Sequence, residues 1–162
     1  MPELRVREAT TEDAGPIHAL AAELAGAVGD SSAPAEERVR ARLSELLEEP
    51  RAWVLVAECE EDAVVGAVSV WVKPDLAHGD AVVEVPMLVV SGDRRREGVG
   101  RRLMEEVRRL AAENEATQIE LVATTNNVQA REFYRSLGFV ETDHVTLEFV
   151  GDVQDPPDPD EA

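Results

Sequence analysis

Apolar residues recur along the chain in two rhythms, and the order of these rhythms predicts the elements. Leu4-Arg5-Val6-Arg7 alternates apolar and polar positions, as a half-buried strand does. Thr10-Thr11-Glu12-Asp13 then offers a hydroxyl to unpaired amides and acids to the positive end of a helix. Ile17, Leu20, Ala21 and Leu24 share one face of that helix, and Pro16 implies that regular hydrogen bonding begins near Asp13. Gly26 to Pro34 reads as a connection rich in Gly, Ser and Asp. A second helix follows, with Val39, Leu43, Leu46 and Leu47 as its stripe and Pro50 as its end. Trp53–Glu58 and Val64–Val72 read as two strands of a hairpin, joined by the acidic turn around Glu60-Glu61-Asp62. A loop from Lys73 to Asp80 leads to the most apolar strand, Ala81–Val90. After it come a helix carrying Val99, Leu103, Val107 and Leu110, a strand Ile119–Ala123, a helix from about Asn127 to Ser136, and a last β region through Phe149. The order β-α-α-β-β-β-α-β-α-β predicts an α/β (α+β) fold: a mixed sheet with helices on both faces.

Composition narrows the setting. The length of 162 residues suits one domain, expected over 1–150, with Val, Leu and Ala filling a core that only 4% aromatic residues can help to build. Residues 151–162 read as a disordered acidic tail with three prolines and almost nothing apolar. The single Cys59, at the end of an apolar run, excludes an internal disulfide, reads as structural and fits a reducing cytoplasm. Every apolar run is shorter than the roughly 20 residues a bilayer requires, and charges stand where a signal peptide needs an apolar stretch. A cytoplasmic location with no membrane partner is expected. A net charge of −18 argues against non-specific nucleic-acid binding, which depends on neutralising phosphates, and no nucleic-acid partner is expected. Only five of the 34 acidic residues lie in the tail, so the acidity belongs to the folded part as well.

Against that background one basic island stands out. Arg94, Arg95, Arg96, Arg101 and Arg102 place five of the sixteen basic residues within nine positions, between a strand end at Val90 and the following helix. Glycines at 98 and 100 let backbone approach a ligand closely, and the first amides of a helix lack partners within it. Together with the helix dipole these amides make an anion site. No Gly-Lys-Ser/Thr follows, as in a Walker loop, and the three glycines of a dinucleotide fingerprint are absent.

Arg95-Arg96-Glu97-Gly98-Val99-Gly100 resembles the Gln/Arg-x-x-Gly-x-Gly/Ala signature of the GCN5-related N-acetyltransferase (GNAT) superfamily, with Leu88-Val89-Val90 at the usual strand end. A second block, Asn-x-x-Ala-x-x-Phe-Tyr-x-x-x-Gly-Phe, is met by Asn127, Ala130, Phe133, Tyr134, Gly138 and Phe139. The resemblance covers residues 4 to 149. It implies a GNAT fold whose strands splay at an acetyl-CoA cleft, with acetyl-CoA as co-substrate. Amides around Arg95, Arg96, Glu97, Gly98, Val99, Gly100 and Arg101 would hold the pyrophosphate. The pantetheine arm would run along Leu88, Val89 and Val90, with the Leu88 amide as donor to the thioester oxygen. Gly92 stands where the family commonly has proline, and Pro86 inside the strand marks or moves a bulge that is itself a family feature.

The same resemblance offers catalytic groups. Tyr134, the only tyrosine, matches the residue that protonates the departing thiolate, and equally reads as a packing residue with its hydroxyl at the rim. Glu84 interrupts an apolar run fourteen residues before Gly98, the offset of a base glutamate in some relatives; otherwise it is a strand residue on a wet face. Without a bulge it would share the face of Leu88. Asn127 serves as a coenzyme contact, a helix cap, or both. His18, His78, His144 and Cys59 give no zinc spacing and no metal is expected; Trp71 is a candidate wall for the acceptor pocket. Asp30, Glu36 and Glu37 lie where relatives build acceptor specificity and suit a cationic amine. The leading expectation is acetyl transfer from acetyl-CoA to a primary amine of a small molecule or protein, by direct attack in a ternary complex. The alternatives are a catalytically silent acyl-CoA sensor and a nucleotide-phosphate protein of another fold. A homodimer is compatible with any of them.

Overall fold

The structure, a computed structural model, describes residues 3–27, 29, 33–60 and 63–155. It divides into two units, Met1–Thr124 and Thr125–Ala162.

The first unit contains β1 (Arg5–Glu8), a 3-10 turn (Thr11–Asp13), α1 (Ala14–Ala27), α2 (Glu36–Glu48), β2 (Ala52–Cys59), β3 (Ala63–Asp75), β4 (Asp80–Val90), α3 (Val99–Glu113) and β5 (Ala116–Glu120). Pro16 is accommodated in the first turn of α1, where its missing N–H costs no helical bond. The strands lie in the order β1-β2-β3-β4-β5 as one open, mixed sheet. Neighbours are antiparallel as far as β4, and β4 with β5 is the one parallel pair. The expected loop from Lys73 to Asp80 shortens to a tight turn, because Lys73, Pro74 and Asp75 pair with Val82, Ala81 and Asp80.

Side chains alternate across each strand, so the sheet has two apolar faces. Val54, Val56, Ala67 and Val89, with Met87 beside them, pack against Ala14, Ile17, Leu20 and Leu43 of α1 and α2. On the other face Gly66 meets α3, whose Val99, Leu103 and Val107 are buried. Helices therefore cover both faces, as the element order predicted. Gly66 sets the spacing on the α3 side. A Cβ there would come within 2.8 Å of Val99 Cγ1, 3.1 Å of Leu103 Cδ1 and 3.2 Å of the Val89 carbonyl. We expect Gly66→Ala to lower stability by about 2 kcal/mol through overpacking, read as an earlier urea unfolding midpoint. An unchanged midpoint would mean that α3 shifts freely.

An ion network fastens β1 to the rest of the unit. The Arg7 guanidinium donates to both oxygens of Asp13, at 2.8 and 2.9 Å, and through Nε to Glu58 at 3.0 Å. Asp13 also accepts the Thr10 amide at 2.7 Å, the charged side of the turn that begins α1. Arg5 adds a second contact to Glu58, at 3.2 Å. Asp13 and Glu58 are both buried.

Two expectations are corrected. The strand placed at Ile119–Ala123 is Ala116–Glu120 instead. β5 pairs only with the first part of β4, from Ala81–Ala116 to Glu84–Glu120, so residues after Glu120 have no ladder to join. The last β region through Phe149 is also absent: residues 139–150 form no strand, and Val145, Leu147 and Phe149 are exposed. Alternation in His144-Val145-Thr146-Leu147-Glu148-Phe149 is sufficient for a strand only when a partner edge supplies hydrogen bonds. The second unit has one regular element, α4 (Val128–Ser136). Asp30, the turn at Glu61-Asp62 and residues 156–162 of the expected tail lie outside the described residues.

Candidate active site

The end of β4 is built around one extra residue. Ser69 pairs with Met87 and Trp71 with Glu84, so Val70 alone faces both Val85 and Pro86. This is a β-bulge, where proline's missing donor is tolerated. It reverses the facing of everything before it. Glu84 shares a face with Trp71, Met87 and Val89, the side of α1 and α2, whereas Leu88 shares a face with Val68 and Val83. Glu84 therefore does not share Leu88's face. It is half-buried and forms an ion pair with Lys73 Nζ. Across the parallel pair its neighbour is Glu120, which accepts from Gln118 Nε2 at 3.3 Å.

The bulge also precedes the point where β4 loses its second partner. Beyond Glu84 the pairing with β5 stops, while β4 runs on to Val90 beside β3 alone. The Ser91 amide donates to the Val65 carbonyl at 2.8 Å. In an antiparallel ladder, bonded pairs alternate with unbonded ones. With Ala67 opposite Val89 as the next bonded pair, the amides and carbonyls of Leu88 and Val90 point away from β3. They face the side on which β5 has ended. Of the three residues expected along the pantetheine arm, Leu88 and Val90 thus present backbone groups without a ladder partner among the described residues. Val89 contributes a side chain to the core.

After Val90 the chain makes a 3-10 turn over Gly92–Arg94 and then an irregular loop. Arg96 has φ 68° and Gly98 φ 84°, two left-handed residues in three positions. The left-handed conformation is open to glycine and rarely taken by arginine, so the backbone turns sharply here. Gly98 is the N-cap of α3 and supplies no side-chain cap; no acidic residue lies in the helix's first turn. The positive end of a 15-residue helix is thus left without an internal counter-charge. Buried Val99 anchors the helix start, while Gly100 and Arg101 lie at the surface side. Arg94 reaches Glu97 at 3.4 Å and Arg102 reaches Glu106 at 2.9 Å. Arg95, Arg96 and Arg101 have no carboxylate partner among the described residues.

The second unit holds the other block. Asn127 caps α4, its side chain accepting the Ala130 amide at 3.1 Å, so the capping role is realised. The helix ends in a left-handed Gly138, φ 97°, with Phe139 N–H donating to the Tyr134 carbonyl and Gly138 N–H to the Arg135 carbonyl, each at 3.1 Å. That is a Schellman cap, and it folds Phe139 back onto the Tyr134 ring. The ring sits edge-on between Phe133 at 5.2 Å and Phe139 at 5.7 Å. The spacing Tyr-x-x-x-Gly-Phe is therefore a local device that fixes the tyrosine. Burial raises the Tyr134 phenol above its ordinary pKa, so it carries its proton throughout the neutral range.

Sequence reasoning missed Lys73 as the partner of Glu84, because that contact depends on hairpin register. It also missed Glu23 of α1, whose carboxylate accepts the Gly92 amide. Among the described residues no group of three His, Cys, Asp or Glu is arranged to hold a metal ion. None of the described helices is long and apolar enough to cross a membrane.

The sequence profile of the Acetyltransferase (GNAT) domain matches residues 50–141, more than half of the chain. The chain belongs to the GNAT acetyltransferase family. Among solved structures, a transcriptional regulator from Bacillus halodurans C-125 is 22% identical, with a TM-score of 0.78 over 90% of this chain and 98% of that one. A possible acetyltransferase from Clostridium difficile 630 is 18% identical, with a TM-score of 0.78 over 92% and 98%. The aminoglycoside N-acetyltransferase AAC(6')-Iy, solved in complex with CoA, is 17% identical, with a TM-score of 0.78 over 91% and 95%. At these identities the likenesses establish the fold and leave the substrate open. No curated protein sequence matches the chain. The GNAT fold removes the alternative of a nucleotide-phosphate protein built on another fold.

Proposed function

We propose that the protein transfers an acetyl group from acetyl-CoA to a primary amine by direct attack in a ternary complex. The observation that carries this reading is the loop from Arg95 to Arg101. Two left-handed residues, a helix N-terminus with no side-chain cap and three arginines without carboxylate partners among the described residues lie where β4 leaves a strand edge without β5 beside it. This donor set suits a diphosphate, and the residues present fit coenzyme A. Amides of Gly98, Val99, Gly100 and Arg101, with the side chains of Arg95, Arg96 and Arg101, hold the phosphates. The outward amides of Leu88 and Val90 hold the extended arm as an added strand would be held. The Leu88 N–H donates to the thioester oxygen and stabilises the charge that grows there during attack.

The attacking amine must be neutral, and an alkyl ammonium has a pKa near about 10.4. Glu84 takes its proton, directly or through water, and Tyr134 gives a proton to the departing thiolate. Asn127 caps its helix and contacts the coenzyme arm. The ion pair with Lys73 supports a carboxylate adapted to ammonium groups, and Glu120 beside it adds a second negative charge on the same sheet face. Both favour a cationic acceptor, on a small molecule or a protein.

The test is release of free thiol from acetyl-CoA with a panel of amines: a diamine, a polyamine, an aminoglycoside and a lysine peptide. Release with at least one is expected. Coenzyme binding without release by any acceptor would leave a silent acyl-CoA sensor in its place. Glu84→Gln is expected to slow turnover about 100-fold, with the greatest loss below neutral pH, where amine deprotonation is hardest. An equal loss at every pH would reduce Glu84 to a packing residue.

A further inference from the structure

We propose that Glu23 and Gly92 form a latch that positions the coenzyme loop. The inference rests on the reading of Arg95–Arg101 as that loop. Glu23 lies on α1, sixty-nine residues before Gly92, and its carboxylate accepts the Gly92 N–H at the first residue of the turn that leaves β4. A Cβ at position 92 would lie 2.5 Å from Glu23 Oε1, so any larger residue would have to push the flexible Glu23 side chain aside. Proline, which relatives commonly carry here, has no N–H to give.

The loop needs such a contact. The Ser91 amide closes the β3–β4 ladder, and the Arg94 amide returns to the Ser91 carbonyl at 2.9 Å. The next firm anchor is buried Val99. Between them the loop holds two left-handed residues and three like-charged arginines in sequence, Arg94, Arg95 and Arg96. Backbone of this kind keeps one shape only where its surroundings over-determine it. The latch ties its entry to a 14-residue helix. Glu23 is a positioning residue and touches no reacting atom.

The test uses the full chain and coenzyme A titrated by calorimetry. Glu23→Ala and Gly92→Pro should each weaken coenzyme A binding about five-fold, the loss expected for one hydrogen bond. The double variant should lose no more than either single change, since both remove the same bond. Glu23→Gln keeps a carbonyl acceptor and should retain most of the affinity. In thiol release, kcat at saturating acetyl-CoA should hold while its KM rises. Amide exchange followed by NMR gives a reading independent of coenzyme: the Gly92 amide should exchange faster in Glu23→Ala than in the wild type. Multiplying losses in the double variant, or unchanged Gly92 exchange, would overturn the latch. A wild type that binds no coenzyme A overturns the reading of the loop, and the exchange measurement still decides the latch.

Discussion

Tyr134→Phe is expected to lower turnover by about 100-fold, the low end of what a positioned general acid contributes, while coenzyme A affinity stays within two-fold. The substitution removes one oxygen and keeps the ring, so the edge-on contacts with Phe133 and Phe139 survive, as does the Schellman cap that holds them. Packing alone therefore predicts almost no change in turnover, and chemistry predicts a large one. The pH dependence separates them further. Burial raises the Tyr134 pKa above 10, so the proton-bearing form is complete across the neutral range. The wild-type rate should show no loss from this group as pH rises from 6 to 9. Single-turnover measurement with acetyl-CoA prebound would isolate the step. Turnover within two-fold of the wild type would withdraw the acid role and leave Tyr134 as a structural residue.

Arg7→Ala should cost about 3 kcal/mol of stability at neutral pH, the largest loss anticipated from any single change in the first unit. The reason is what stays behind. Asp13 and Glu58 are buried, and without the guanidinium Asp13 keeps only the Thr10 amide, while Glu58 keeps only the exposed Arg5. The figure sits at the lower end of the range for broken buried pairs because Arg7 itself is about a quarter exposed, with a side-chain exposure of 27%. Linkage fixes the sign with pH. Hydrogen bonds from Arg7, and then from the Thr10 backbone, hold the Asp13 pKa below its ordinary 3.8 against the opposing effect of burial. The stability this adds is present above the unfolded pKa and is lost as pH falls through the folded one. The wild type should therefore weaken below about pH 4. In the variant, protonation relieves a stranded carboxylate, so the gap between the two proteins narrows in acid. Urea unfolding at pH 7 and pH 3.5 measures both. A gap below 1 kcal/mol at pH 7, or one that widens in acid, would show that β1 is held by its ladder and not by these charges.

Most of this architecture was legible in the residues because its signals are local. Short, nearly continuous apolar runs in Trp53–Glu58 and Val64–Val72, separated by an acidic turn, mark strands buried on both faces, and the Val99-Leu103-Val107-Leu110 spacing marks a helix with one buried face. Gly98 and Asn127 announce helix starts through backbone conformation and capping chemistry that a few neighbours determine. What the sequence left open depends on partners distant along the chain. The strand expected at Ile119–Ala123 lies earlier, at Ala116–Glu120, because its end is set by where β4 stops pairing. Val145-Thr146-Leu147-Glu148-Phe149 has a strand's rhythm, which says nothing about the edge a strand requires. Lys73 and Glu84 are eleven positions apart, and only hairpin register brings them together. Glu23 carries no signal at all, since any glutamate on an exposed helix face looks alike until a backbone amide meets it.

The bulge at Val85 and Pro86 has a consequence for how this strand tolerates change. With one residue more than its partner, β4 is written in two reading frames, even positions turned one way before the bulge and the other way after it. A substitution at either residue leaves both frames intact. Removing one residue merges them, which would bring the Glu84 carboxylate to the side where Val83 packs or turn Leu88 and Val90 amides back toward β3. The count of residues between Glu84 and Leu88 is therefore constrained more tightly than their identities. In this strand the number of letters carries information that the letters do not.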